Sequence, residues 1–436
     1  MAKKWKLKWM AVFAVLLFGT AWADEISDLR KEQEKLYNQL AEMNNRLLKM
    51  EAAQQEQTQK ISKMEESGGF EIPETLSWLE KIKLYGDFRY RYECRDRDWK
   101  ADPKDDRHRI RARVGIQFQI NDEYMFDFRV ATSEFLKDGD DGSIIPGSAA
   151  NAANQTLGDY WAGKNLWVDR AYVSYTPKAV SGLTIAAGKT YNPFYVGKSD
   201  LIWDGDVNPE GFALQYTRSL TEQDEMFLNS FAGYIEENGS SADKRMLGGQ
   251  VGLAHTFADK SKATFGLSYF DYSNIEGEKL PAINKQVIDN GAAGNTSTDG
   301  DNYDFDYNLV EVFGQYAFNL GTHPFMVFGD YVVNTASGVK EDTGWLTGFT
   351  FNKAKDPGTW DFTYSYRDLE ADAVLGAFAD SDFADGGTNV RGHKFNVTYM
   401  LAKNTSLGVS YYLAERLVEK PNEDYKRIQL DFTVKF

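Results

Sequence analysis

The chain has 436 residues, 26% of them charged, and its mean hydropathy of -0.51 excludes a helical membrane protein. Its 28 Phe, 24 Tyr and 10 Trp are too many for a disordered or purely fibrous chain. A net charge of -16 argues against a nucleic-acid partner, and the single cysteine, Cys94, excludes a disulfide framework and Cys-based metal sites.

The first element is an export signal. Lys3, Lys4, Lys6 and Lys8 precede an apolar run over residues 10–18, and Ala21 and Ala23 supply the small residues of a cleavage site. Cleavage after residue 23 removes four lysines and no acid, taking the charge from -16 to -20. A heptad follows over residues 24–66. Its a positions are Ile26, Gln33, Leu40, Leu47, Gln54 and Ile61, and its d positions are Leu29, Leu36, Met43, Met50, Gln57 and Met64. Opposite charges at g and the following e (Glu25–Arg30, Arg46–Glu51, Lys60–Glu65) favour a parallel coiled coil about 58 Å long at ~1.5 Å per residue. A solvated single helix is the competing reading, since Gln54 and Gln57 weaken the seam. Ser67-Gly68-Gly69 and Pro73 end the helix and make residues 67–80 a linker.

From residue 81 onward the period changes to two. In 107–120 one parity reads His108, Ile110, Ala112, Val114, Ile116, Phe118, Ile120; the other holds Arg107, Arg109, Arg111 and Arg113. Such a segment suits a strand lying between lipid and water. The last segment alternates likewise, Ile428 to Phe436 against Arg427 to Lys435. The pattern predicts sixteen strands, near 83–93, 107–120, 124–132, 166–176, 183–190, 211–218, 226–236, 246–256, 264–272, 308–318, 325–334, 345–352, 360–369, 393–401, 405–415 and 425–436. Connections after even-numbered strands are short and those after odd-numbered strands are long, the asymmetry of an outer-membrane barrel. The expected fold is thus all-β: a transmembrane antiparallel barrel over 81–436, preceded by the coiled coil. A soluble sandwich or propeller would not need aromatic residues at both ends of so many strands.

Sixteen strands enclose more space than side chains can fill, so the polar parity should face water. This places Asp87, Arg89, Arg91, Arg107, Arg109, Arg111, Arg113, Asp127 and Arg129 along a pore wall, where charge sets which ions cross. The same charges could instead pair within the wall, Arg89, Arg91 and Arg129 with Asp87 and Asp127. The connection 191–210 carries Asp200, Asp204, Asp206 and Glu210 and is long enough to fold inward as a constriction loop. Asp138, Asp140 and Asp141 lack the spacing of a calcium loop and read as a solvated surface. Four histidines without nameable partners leave no catalytic constellation, and no metal or cofactor is expected.

Leu84–Glu93 (LYGDFRYRYE), Asp106–Ile116 (DRHRIRARVGI), Leu166–Tyr175 (LWVDRAYVSY), Gly188–Phe194 (GKTYNPF) and Asp200–Tyr216 (DLIWDGDVNPEGFALQY) resemble blocks of the putative-porin family of Gram-negative outer membranes. The resemblance runs through residues 83–216 and resumes at the last strand. It implies a signal peptide, a periplasmic coiled coil, a sixteen-stranded barrel and a homotrimer. The expected function is a porin passing small hydrophilic solutes or ions by diffusion, with an arginine-lined wall giving weak anion preference. Its partners are outer-membrane lipid and those solutes. The alternative is an anchor whose coiled coil ties the barrel to peptidoglycan.

Overall fold

The computed structural model describes residues 74–98, 104–137, 144–148, 150–158, 160–239, 241–278, 293–300, 302–417 and 423–436. The expected export signal, the coiled coil, the Ser67–Gly69 break and Asp138, Asp140 and Asp141 lie outside them. Two compact units part between Trp78 and Leu79, and the second, Leu79–Phe436, holds every strand among the described residues.

Sixteen antiparallel strands close into a barrel: β1 (Ile82–Arg97), β2 (Lys104–Gln119), β3 (Tyr124–Thr132), β4 (Leu166–Tyr175), β5 (Leu183–Lys189), β6 (Glu210–Ser219), β7 (Asp224–Glu236), β8 (Lys244–Thr256), β9 (Lys262–Ser273), β10 (Tyr307–Leu320), β11 (His323–Asn334), β12 (Thr343–Asn352), β13 (Trp360–Leu369), β14 (Val390–Ala402), β15 (Thr405–Arg416) and β16 (Glu423–Lys435). Each expected segment falls on one of them. β16 returns to β1, with Arg91 opposite Asp431 and Phe88 opposite Val434. The Gly86 and Phe436 main chains exchange hydrogen bonds of 3.0 and 3.1 Å, finishing the ring. Closure leaves no unpaired sheet edge, the condition for a β-structure in lipid.

The period of two decides which side chains face where. Along β8, Met246, Gln250 and Ala254 are buried while Leu247, Val251 and Leu253 are exposed on the outer face. A polar glutamine inside and leucines outside invert the order of a soluble barrel. Aromatic rings gather near the strand ends on the outer face. Phe325, Phe349, Phe351 and Trp360 cluster toward the short turns, and Tyr90, Tyr366 and Trp345 toward the long loops. His108 and His393 belong to the second belt, each held at Nδ1 by a tyrosine hydroxyl, Tyr90 at 2.7 Å and Tyr364 at 2.9 Å.

The apolar core sits inside the long-loop end of the barrel. Leu201, Ile202, Trp203 and Val207 come from the β5–β6 loop, Ile275 and Tyr303 from the β9–β10 loop, and Val374, Leu375 and Phe383 from the β13–β14 loop. They pack on inward side chains such as Phe270, Tyr272, Leu346 and Tyr412. The β5–β6 loop departs where the wall is low, since β5 stops at Lys189 opposite Ala171. Gly188 and Gly211 face each other at its neck with φ of 126° and 155°. A Cβ at either would lie 2.3 Å from a backbone oxygen, of Ala171 or Ala232, so only glycine lets the strands approach there.

Candidate functional site

β1 and β2 pair so that Asp87 faces Arg113, Arg89 faces Arg111, Arg91 faces Arg109 and Glu93 faces Arg107. All eight share the inner parity; Phe88, Tyr90 and Val114, on the other, are exposed outside. Two of these pairs set guanidinium against guanidinium, which is repulsive across a strand pair. Carboxylates from other elements offset the repulsion.

Arg91 donates from Nε and Nη2 to Asp431 of β16 at 2.7 and 2.8 Å, and from Nη1 to Asp382 at 2.7 Å. Arg111 and Arg113 share Asp87, at 3.0 and 2.6 Å from their Nε atoms, and both donate to Asp206 at 3.3 and 3.0 Å. Arg107 and Arg427 donate to Glu93, which is fully buried, and Arg129 donates to Asp169. Pairing of Arg89, Arg91 and Arg129 with Asp87 and Asp127 does not occur. Asp87 stands opposite β2 and takes that strand's arginines. Asp127 stands opposite Gln117 and accepts from Gln117 at 2.9 Å and from the Tyr85 hydroxyl at 2.8 Å.

The β5–β6 loop reaches two parts of the wall. Asp206 meets β2, whereas Asp200 pairs with Arg367 of β13 and Lys394 of β14. Asp204 sits between them, accepting the backbone N–H groups of Asp206 and Ser381 at 2.8 Å each. Glu210 is not brought to the wall: it opens β6, is exposed, and accepts from Lys189 Nζ at 2.8 Å.

A second loop, residues 370–389, supplies the acids that sequence reasoning missed. Asp382 bridges Arg91 and Arg427, and Asp385 meets Arg95 at 3.2 Å and Arg97 at 3.4 Å. The loops also bind one another. Asp204 N donates to Phe378 O at 2.8 Å, Asn151 Nδ2 to Ala379 O at 3.0 Å, and Ala153 N to Asp206 Oδ2 at 3.0 Å.

These loop carboxyls divide into two electrostatic classes. Burial alone would raise every one of them. At Asp382 the Arg91 and Arg427 guanidiniums overcome burial and hold the carboxyl well below the usual range. Asp206 is lowered against burial by Arg111 and Arg113, and Asp385 by Arg95 and Arg427. Asp204 goes the other way: burial, with Asp206 and Asp380 close by, pushes it well above the ordinary value.

Arg95, Arg367, Lys394 and Arg427 were missed although the alternation that singles out Arg89 and Arg91 extends to them. Asp382 and Asp385 carry no periodicity. Their one signal was charge, an acid-rich loop in a chain whose inner wall is basic.

A family model described as a putative porin matches residues 98–307 and 295–436. A search of curated protein sequences finds no match. Among solved structures, Pseudomonas putida OprB is 13% identical, with a TM-score of 0.52 over 82% of this chain and 95% of that one. Salmonella typhi OmpF, in complex with daunomycin, is 14% identical with a TM-score of 0.48, over 81% of this chain and 97% of that one. The outer membrane channel DcaP of Acinetobacter baumannii is 15% identical with a TM-score of 0.44, over the same shares. The likeness to OprB is one of fold.

Proposed function

Since this chain belongs to the putative-porin family, we propose that its barrel is an outer-membrane channel through which small hydrophilic solutes or ions diffuse. One observation carries the reading: a row of inward guanidiniums on β1 and β2 is met by acids delivered from two long loops. A purely structural barrel has no need to fold charged loops back onto a charged wall. Arg89, Arg91, Arg107, Arg109, Arg111, Arg113, Arg129, Asp87 and Asp127 are the proposed pore lining. Asp200, Asp204 and Asp206 are the acids of the constriction, joined by Asp382. Because most of the guanidiniums are paired with carboxylates, the net field on a passing ion is small, which supports a weak preference for anions.

The test is a planar-bilayer recording. Stepwise conductance is expected, with a reversal potential displaced toward the anion in a potassium chloride gradient. Absence of conductance at high protein load sinks the channel, and a cation-selective reversal potential overturns the preference alone.

We further propose that cleavage of residues 1–23 leaves the coiled coil in the periplasm and that the chain assembles as a homotrimer through barrel and coil. The heptad over 24–66 supports a second reading, a tether from the barrel to peptidoglycan. Deleting 24–66 separates the two: loss of envelope integrity with conductance retained establishes the tether.

A further inference from the structure

Arg91, Arg111 and Arg113 donate hydrogen bonds to carboxylates, but Arg89 and Arg109, between them in the wall, do not. Arg109 is 7% exposed, and its nearest acids are Glu134 at 3.7 Å and Glu93 at 3.8 Å, beyond hydrogen-bond reach. Glu93 is already taken by Arg107 and Arg427. Arg89 makes one hydrogen bond, at 2.5 Å to the neutral Asn154 Oδ1, and has no carboxylate at ion-pair distance among the described residues. The Nε atoms of both arginines are buried without a partner. A buried guanidinium without a hydrogen-bonded counter-charge is held at a cost, greatest at Arg89, which has no carboxylate at ion-pair distance.

The register makes the two positions a pair. Arg89 faces Arg111 and Arg91 faces Arg109, so Arg89 and Arg109 are diagonal neighbours on adjoining strands, about 7–8 Å apart at the backbone. Residues 154–156 of the β3–β4 connection are held against this part of the wall. Gln155–Thr156 pairs with β2 at Arg109 and Ile110, and Asn154, 4% exposed, holds Arg89. We infer that Arg89 and Arg109 form a binding station for a small carboxylate anion, resting on the reading of this barrel as a channel. The chemistry comes from the neighbours. Each matched guanidinium beside them takes a carboxylate at 2.6–3.3 Å from Asp87, Asp206, Asp382 or Asp431. A solute carboxylate supplies at Arg89 and Arg109 the hydrogen-bonded oxygens that the chain gives their neighbours, and the planar fork suits its two oxygens.

Malonate is the probe. In a planar bilayer it should reduce the chloride current of the wild-type barrel at a defined half-blocking concentration. Arg89→Gln/Arg109→Gln should raise that concentration about tenfold. Arg111→Gln/Arg113→Gln, which removes the same charge from the same wall, should raise it less than threefold. A second measurement does not depend on conduction: malonate should raise the temperature at which the detergent-solubilised wild type loses its folded mobility on a gel, and leave the Arg89→Gln/Arg109→Gln variant unmoved. Should that variant fail to fold, Arg109→Lys keeps the charge and loses the fork, and an intermediate shift is expected. Equal shifts in both double variants, no malonate effect on a conducting wild type, or equal potency of inorganic phosphate each overturn the carboxylate station. A wild type that does not conduct overturns the channel instead, and the melting measurement then decides the station by itself.

Discussion

Replacing Asp382 by alanine should release the 370–389 loop from the wall. Its carboxylate accepts from Arg91 at 2.7 Å and from Arg427 at 2.8 Å, and both arginine side chains are at most 4% exposed. Breaking a buried ion pair by removing one partner costs about 3–5 kcal/mol. The lower end applies, because Arg91 keeps Asp431 and Arg427 keeps Glu93. About 3 kcal/mol taken from loop docking raises the undocked population roughly 150-fold. Phe383, 1% exposed beneath Tyr412 and the Arg367 guanidinium, is a chymotryptic site only when the loop is out. In limited proteolysis of the folded barrel, cleavage at Phe383 should accelerate about a hundredfold, following the open population while reclosing outpaces cutting. A rate within threefold of wild type in a fully folded barrel refutes the reasoning and assigns the loop's position to its other contacts, the Asp385 ion pairs and the apolar packing of Phe383.

Four further outcomes follow from the same geometry. The raised pKa of Asp204 means the packed loops hold its proton more tightly than the released loops do. Its contribution is therefore full below the ordinary carboxylate value of about 3.9 and is lost as pH climbs through the raised one. Conductance of the wild type should rise with pH over that interval and stay flat in Asp204→Asn. The depressed carboxyl of Asp382 has the opposite sign, gripping above about 3.9 and letting go as pH falls through its lowered value, so acid should also open the loop. Asp206→Asn removes the acid that Arg111 and Arg113 share; about 1 kcal/mol of lost attraction in a wet lumen should raise the anion-to-cation permeability ratio about fivefold. Gly188→Ala places a Cβ 2.3 Å from the Ala171 carbonyl oxygen at a φ of 126°, and about 1–3 kcal/mol of strain should lower the barrel's melting temperature.

The strands were legible because a strand between lipid and water carries its orientation in every second residue, whatever it pairs with. Arg107 to Arg113 show their side of the wall without any knowledge of β1. The structural strands run longer than the apolar pattern, as at β1, which continues through Arg95 and Arg97 where both faces are polar. Position around the ring was not legible. Nothing in the sequence of residues 370–389 places Asp382 beside Arg91, because that meeting depends on how the β13–β14 loop folds back inside the closed ring toward β1. The division of roles inside the 191–210 segment was likewise hidden. Asp206 and Glu210 are four residues apart, yet one lies against β2 and the other has already entered β6 on the exposed side.

The seam of the barrel lies between β1 and β16, and Glu93 with Arg427, and Arg91 with Asp431, cross it from residues 334 and 340 apart in sequence. Pairing at such separation is slow, since the loop entropy precedes any reward. The inward charges of β1 and β16 are therefore the ones that must find each other for the ring to shut. Substituting these charges alters the latch itself, and its first symptom should be barrels that stay open.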